Sequence, residues 1–254
     1  VDIIDLRTDH DDKLLQQVYS QLYLACFTDP DEQEDLEQYR DRLFGPQKPA
    51  PQPKTHFLVA GNHLKDPEQR ELLGFLIFEL YRESSCGLLT YLAVDPATRG
   101  QGLGRLLMRR AIEILIEECS EAGGLKAVFA ETHDPKLIDP ADDAMSPDQR
   151  IQVMKRLGAY HVPIRYVQPE LRPGDGRSRK LLLITFSIAP DCSPALKGNV
   201  VLTFLHEFYR ALGVVDPDHD ADYLAIKIDI ETTIASAQPT SSVTKSDLPQ
   251  ASIN

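Results

Sequence analysis

The chain has 254 residues, 42% hydrophobic and 26% charged, the balance of an ordinary soluble protein with enough material for one large domain or a domain with an appendage. A formal net charge of −12 opposes non-specific binding to nucleic acid or to an anionic membrane, and no apolar run approaches the roughly 20 residues of a membrane span. Cys26, Cys86, Cys119 and Cys192 form no C-x-x-C pair and aspartates interrupt the first dozen residues, so zinc knuckle, disulfide framework and secretory leader are all unexpected and a reducing cytoplasm is the expected setting.

In chain order, Val1–Leu6 reads as a short strand and Asp11–Cys26 as helical. Asp29–Phe44 reads as a second helix, with Asp29 as N-cap, Pro30 at the first helical position and acidic residues in the first turns, where the dipole favours them. Gly45–Lys54 holds four prolines and must be an extended loop. His56–Ala60, Leu72–Tyr81 and Gly87–Val94 are apolar runs between turn residues and read as strands, the first two as antiparallel neighbours.

Gly102–Cys119 is the clearest helix, with Leu103, Leu106, Leu107, Ile114 and Leu115 on one stripe. Lys126–Thr132 is expected to be a buried strand, His133–Pro147 a long acidic loop, and Asp148–Leu157 a helix closed by Gly158. Val162–Val167 and Lys180–Ile188 read as strands around a basic hairpin loop, Pro169–Arg179. The order β-α-α-β-β-β-α-β-α-β-β is a mixed α/β layout. Residues 1–190 are expected to form one domain, 191–235 a C-terminal helical extension, and 236–254 a Ser/Thr/Pro-rich tail with little to bury. In the extension, Val200, Val201, Phe204, Leu205, Phe208 and Leu212 recur at helical spacing. That stripe is most simply a face packed on the domain, with a homodimer interface or a lid over a cleft as alternatives.

Leu88–Leu107, LLTYLAVDPATRGQGLGRLL, is the informative segment. A buried strand ends at Val94, Asp95-Pro96 breaks it, and a glycine-rich turn enters the amphipathic helix. Peptide N–H groups at such a turn lack helical partners and point outward together, which makes an anion site. Arg99 and Arg105 add positive charge. A P-loop would need Gly-Lys-Ser/Thr, which is absent, and a dinucleotide fingerprint would need G-x-G-x-x-G, whereas the glycines here run G-x-G-x-G.

Arg99-Gly100-Gln101-Gly102-Leu103-Gly104 resembles the [Q/R]-x-x-G-x-[G/A] signature of the GCN5-related N-acetyltransferase (GNAT) family, and Leu92-Ala93-Val94-Asp95-Pro96 resembles the end of that family's fourth strand. The resemblance implies a mixed, mostly antiparallel sheet flanked by helices, with the C-terminal helices as an addition. It implies acetyl-CoA, or another acyl-CoA, as co-substrate: Leu92, Ala93 and Val94 beside the pantetheine arm, and Arg99, Gly100, Gln101, Gly102, Leu103, Gly104 and Arg105 around the pyrophosphate. The implied reaction is direct attack of a primary amine on the thioester in a ternary complex, with a small molecule or a peptide as acceptor. An acyl-CoA-binding or sensing module without turnover is the alternative.

Family members that carry a base on the fourth strand have it where this chain has Leu88 and Thr90, neither of which is a base. Other members use a Glu near the end of the fifth strand, a place held here by Glu131. His133, two residues on, and Glu79, near the end of the third strand, are further candidates. The family's frequent Tyr, four residues before the glycine that ends the fourth helix, is replaced by Met154, leaving Tyr160 and Tyr166 as substitutes for the proton donor. No metal site is expected: His206-Glu207-Phe208-Tyr209-Arg210 opens like H-E-x-x-H, but Arg210 stands where the second ligand would be.

Overall fold

The computed structural model of the chain describes residues 1–28, 33–137, 145–172, 174–188 and 196–233. Asp29 and Pro30, the middle of the 133–147 loop, Cys192 and the 236–254 tail lie outside the described residues. In order, the elements are β1 (Asp2–Asp5), α1 (Leu6–Asp9), α2 (Asp12–Val18) continuing through a π-helical turn (Tyr19–Tyr23) into α3 (Leu24–Cys26), α4 (Leu36–Phe44), β2 (Lys54–Asn62), β3 (Glu71–Tyr81), β4 (Cys86–Val94), α5 (Leu103–Cys119), β5 (Ala127–His133), α6 (Pro147–Leu157), β6 (Ala159–His161), β7 (Leu181–Phe186), α7 (Gly198–Ala211) and α8 (Ala221–Thr233). Seven strands form one sheet in the order β1-β2-β3-β4-β5-β7-β6. All neighbours are antiparallel except β4 and β5.

Alternation along the strands sends two sets of side chains to opposite faces. Leu76, Phe78 and Leu80 of β3 and Val128 and Ala130 of β5 pack with Leu107, Met108, Ala111 and Leu115 of α5 and with Ile151 of α6. The other face carries two separate clusters. Phe75 and Ile77 pack under the N-terminal helices with Leu14, Tyr23 and Tyr39. Tyr81, Leu88 and Phe129 pack under α7 and α8 with Phe204, Phe208 and Ile226. Glu79 falls between Ile77 and Tyr81, at the seam between those clusters. The described part of the C-terminal extension therefore covers the sheet.

Two expectations are corrected. Helix α4 begins at Leu36 behind Asp35, and residues 33–35 are not helical. Tertiary bonds explain this: the Glu34 N–H donates to the Tyr23 hydroxyl at 2.9 Å, and the Glu34 carbonyl accepts from the Tyr19 hydroxyl at 3.0 Å. With both backbone groups taken by side chains, helical bonding there has nothing to gain. The second correction is that Val162–Val167 is not a strand; the short strand precedes it, at Ala159–His161. Pro163 has no N–H for a ladder, and Ile164 and Tyr166 donate to the carbonyls two residues back, of Val162 at 2.8 Å and Ile164 at 3.0 Å.

A buried ion cluster joins β1, β2 and α5. His56 is 1% exposed and stacks on Phe78. Its Nδ1 bonds to Asp5 Oδ2 at 2.7 Å, and its Nε2 lies 3.3 Å from Glu118 Oε1 without hydrogen-bond alignment. Lys54 Nζ donates to the same Glu118 oxygen at 2.5 Å. Burial alone would lower the His56 value, but the bond to Asp5 and the nearby Glu118 carboxylate raise it above the ordinary one. Burial opposes ionisation of Glu118, yet His56 and Lys54 bring its carboxyl down from 4.5 to about 2.

The signs fix a pH window. The raised histidine contributes stability that is full below its unfolded value near 6.5 and fades as pH climbs through the higher folded value. The depressed carboxyl contributes stability that is full above 4.5 and fades as pH falls toward about 2. Thermal unfolding across pH 5–9 is expected to show His56→Gln melting about 5 °C or more below the wild type at pH 6. The gap should narrow toward alkaline pH.

Candidate active site

The site begins where two strands part. β4 and β5 pair in parallel only over Cys86–Leu89 and Ala127–Ala130. At that point β4 carries an extra residue: Ile77 of β3 opposes Tyr91 while Phe78 opposes Leu89, which leaves Thr90 as a bulge. The Thr90 hydroxyl donates to the Ile77 carbonyl at 3.1 Å. A bulge bends its strand and sharpens the twist, and here it carries the end of β4 away from β5.

Beyond the bulge, β4 remains on β3. Asp95 N–H donates to the Leu73 carbonyl at 2.8 Å, and a Cβ on Gly74 would come within 2.8 Å of the Ala93 carbonyl oxygen. The peptide groups of Ala93 and Asp95 thus face β3, and alternation turns those of Leu92 and Val94 into the gap toward β5.

The turn that follows is preset by two glycines. Gly100 (φ 83°) and Gly102 (φ 86°) are left-handed, and a Cβ at either would meet nothing within 4 Å, so backbone conformation and not crowding selects glycine there. Gly102 is the N-cap of α5, whose first helical bond runs from Leu106 N–H to the Gly102 carbonyl at 3.1 Å. The N–H groups of Leu103, Gly104 and Arg105 precede that bond and lie at the positive end of a 17-residue helix. Arg99 Nε donates to the Val94 carbonyl at 3.1 Å, which folds the side chain back over the turn. Arg105 reaches away to the Arg156 carbonyl of α6 at 3.0 Å. Gln101 is exposed, whereas the Leu103 side chain is buried in the core.

Glu131 is the first β5 residue past the last β4 partner, on the same face as Phe129 and so toward the seam. The segment between β6 and β7 closes over it. Tyr166 hydroxyl donates to Glu131 Oε1 at 2.5 Å, and Gln168 Nε2 lies 2.9 Å from each carboxylate oxygen. Burial pushes the carboxyl up to about 7; the Tyr166 and Gln168 bonds pull the other way, and the Glu79 carboxylate adds to the rise. Such a value suits a group that must both accept and release a proton near neutrality.

Across the seam the polar network continues. Tyr81 hydroxyl donates to Glu79 Oε2 at 2.9 Å, and Arg42 Nη1 donates to Glu79 Oε1 at 3.2 Å. Arg42 also pairs with Glu34, whose Oε1 accepts from the Tyr39 hydroxyl at 3.1 Å. Glu34 and Glu79 thus flank the Arg42 guanidinium, and Glu131 is close enough to Glu79 to feel its charge. Burial raises the Glu79 carboxyl while Arg42 restrains it.

The other named residues are placed as follows. His133 faces α6, with Nδ1 3.1 Å from Arg150 Nη1. Tyr160 sits on β6 opposite Thr185 of β7, which in turn opposes Phe129 of β5. Two strand spacings, about 10 Å, therefore separate its backbone from β5. The side chain that reaches Glu131 is Tyr166. Met154 packs against the core under α5. The Glu207 carboxylate accepts the Glu83 and Ser84 N–H groups at 3.0 and 2.8 Å, capping the β3–β4 turn. The basic hairpin is engaged as well: Arg177 and Arg179 pair with Asp220 and Asp222, and Arg172 donates to the Gln33 carbonyl. Among the described residues no group of three or more His, Cys, Asp and Glu side chains is placed to hold a metal ion, and no helix is long and apolar enough to cross a membrane.

Residues 17–137, which span the parted strands and the glycine turn, match the model of the acetyltransferase (GNAT) family. The chain carries a GNAT acetyltransferase domain. Among solved structures, a protein of Bacteroides thetaiotaomicron described as a GNAT-family acetyltransferase is 18% identical, with a TM-score of 0.48 over 94% of this chain and 100% of its own. The ribosomal-protein-S18-alanine N-acetyltransferase of Escherichia coli is 19% identical, with a TM-score of 0.43 over 75% of this chain and 96% of its own. An aminoglycoside 6'-N-acetyltransferase complexed with coenzyme A is 15% identical, with a TM-score of 0.47 over 76% of this chain and 99% of its own. No curated protein matches. The family match ends before α6, so Tyr166 and Gln168 lie outside the matched part of the GNAT domain.

The carboxyl of Glu131 is expected to titrate near pH 7 when followed by ¹³C NMR, its resonance assigned with Glu131→Gln. Because the Tyr166 bond favours the charged form, Tyr166→Phe should move that midpoint upward.

Proposed function

We propose that the protein is an acyl-CoA-dependent N-acetyltransferase that acylates a primary amine by direct attack in a ternary complex, with Glu131 as general base. One observation carries the reading: a carboxyl stands at the first position past the parting of β4 and β5, held by Tyr166 and Gln168 and close enough to Glu79 to feel its charge. The family match supports the reaction class.

The residues fit an acyl-CoA. The unpaired N–H groups at the start of α5 and the two left-handed glycines suit a pyrophosphate. The Leu92 peptide groups and the Val94 N–H, aimed into the gap, suit the amides of a pantetheine arm, while the Val94 carbonyl is taken by Arg99. Arg99 supplies positive charge; Arg105, turned toward α6, supplies less than its position in the motif suggests. When bound, acyl-CoA provides the activated acyl group.

The protein's own groups do the rest. Glu34 and Glu79 favour entry of a cationic amine over a neutral or anionic compound. Glu131 takes the proton from the ammonium and leaves a neutral nucleophile. Tyr166 and Gln168 hold the base in one rotamer. Neither Tyr160 nor His133 is needed in this scheme. With Met154 at the family's tyrosine position, the second proton of the attacking nitrogen passes through water to the departing thiolate, whose pKa of about 8.5, by analogy with cysteine, makes it an adequate leaving group. A small amine or the amino end of a peptide fits this chemistry equally.

Met154 also favours the rival reading, a binding module without turnover. Both readings expect acetyl-CoA to raise the melting temperature, and absence of any shift with acyl-CoAs would sink both. Only the enzyme releases free thiol when offered a panel of amines. Glu131→Gln should keep the thermal shift and lose about 10²–10⁴-fold in kcat. The wild-type rate should rise with pH through about 7 as Glu131 deprotonates.

A further inference from the structure

The segment that holds Glu131 cannot hold itself. Residues 162–168 are irregular; they contact the sheet through Val162 N–H on the Leu183 carbonyl at 3.0 Å, and the next ladder-like contact is the Gln168–Ser178 bridge. Between those points lie Tyr166 and Gln168, the two side chains on the base. What fixes them comes from the C-terminal helices. Tyr209 of α7, fully buried, donates its hydroxyl to the Val167 carbonyl at 2.6 Å, at the residue between the two that bind Glu131. Asp229 of α8 accepts the Arg165 N–H at 3.1 Å and its guanidinium at 2.7 and 2.8 Å. Arg177, on the far side of the hairpin, lies over the Tyr209 ring and pairs with Asp220 and Asp222 at the start of α8. Phe204 of α7 stacks on Phe129, two residues before Glu131, at a centroid distance of 4.4 Å.

From this arrangement we infer that α7 and α8 are a working part of the catalytic site, and that Tyr209 is a positioning residue that holds Tyr166 and Gln168 against Glu131. The inference rests on the proposed role of Glu131 but concerns a different contact. A hydroxyl bonded to a main-chain oxygen between two functional side chains sets the direction of both. Remove it, and the peptide is free to turn while the hydrophobic packing of the ring remains. The bonds that favour ionised Glu131 then loosen, and its affinity for a proton rises.

Tyr209→Phe in the full chain tests this. The Glu131 carboxyl midpoint, followed by ¹³C NMR, should move upward by about half a pH unit or more, as in Tyr166→Phe. The double variant should move by less than the sum of the two single shifts, because part of the Tyr209 effect passes through the Tyr166 bond. Turnover should fall about tenfold in kcat, the loss expected for roughly one hydrogen bond, with KM for acetyl-CoA unchanged. Asp229→Asn, which releases Arg165 from the other side, should shift the midpoint in the same direction and covers the case in which Tyr209→Phe folds poorly. A wild-type midpoint in folded Tyr209→Phe and Asp229→Asn, with a lowered melting temperature alone, overturns the inference. The two proposals fail separately: full activity in Glu131→Gln would remove the base, whereas the titration still decides whether Tyr209 orients its partners.

Discussion

The parting of β4 and β5 is the constraint on which the rest of the molecule depends. A parallel pair that stayed together would bury the peptide groups of Leu92 and Val94 in a ladder and would cover Glu131. One extra residue, Thr90, prevents it by giving β4 a bend while β3 keeps its hold through Leu73 and Gly74. Two unpaired strand edges inside a sheet are costly unless something else takes their hydrogen bonds. The fold accepts that cost in the middle of its sheet.

The parted strands alone do not raise the proton affinity of Glu131. Glu131 would be an ordinary carboxylate if the gap were open to water on both faces. The clusters beneath the N-terminal and C-terminal helices wall off one face, and the segment from Val162 to Gln168 covers the carboxyl. Burial and the nearby Glu79 charge then do more to its ionisation than the favourable bonds undo. The same wall brings the Arg42 guanidinium between Glu34 and Glu79, so negative charge accumulates in the seam without repelling the fold apart.

Much of this was legible in the sequence, for physical reasons. The strands and α5 declare themselves because periods of two and 3.6 follow from burial on one face. The glycine turn declares itself because Gly100 and Gly102 need a left-handed backbone that few other residues adopt. Glu131 could be named because the resemblance to the GNAT family implies a Glu near the end of the fifth strand, where the sequence places this residue. Its partners could not be chosen: Tyr166 and Gln168 lie 35 and 37 residues away in a stretch that mimics a strand in composition, and Tyr160 looked equally near. Pro163 was the available signal that the stretch is irregular. The late start of α4 was hidden for a related reason, since acidic residues that suit a helix N-terminus can also be held by tyrosine hydroxyls from another helix. Tertiary competition for a backbone N–H leaves no trace in local pattern.

The carboxylates of the seam have one further consequence. Glu79 lies close enough to raise the Glu131 value, and Arg42 pairs with both Glu79 and Glu34, so the charge on each of these groups is felt by its neighbour. In the proposed reaction, a guest that arrived as a cation and left its proton behind on Glu131 would lower the negative potential that attracted it. The neutral amide product would meet a seam that had lost part of its pull, and discharge of that proton to water would restore it. Electrostatics alone would thus set the direction of traffic, admitting the charged form and releasing the uncharged one, with no moving part.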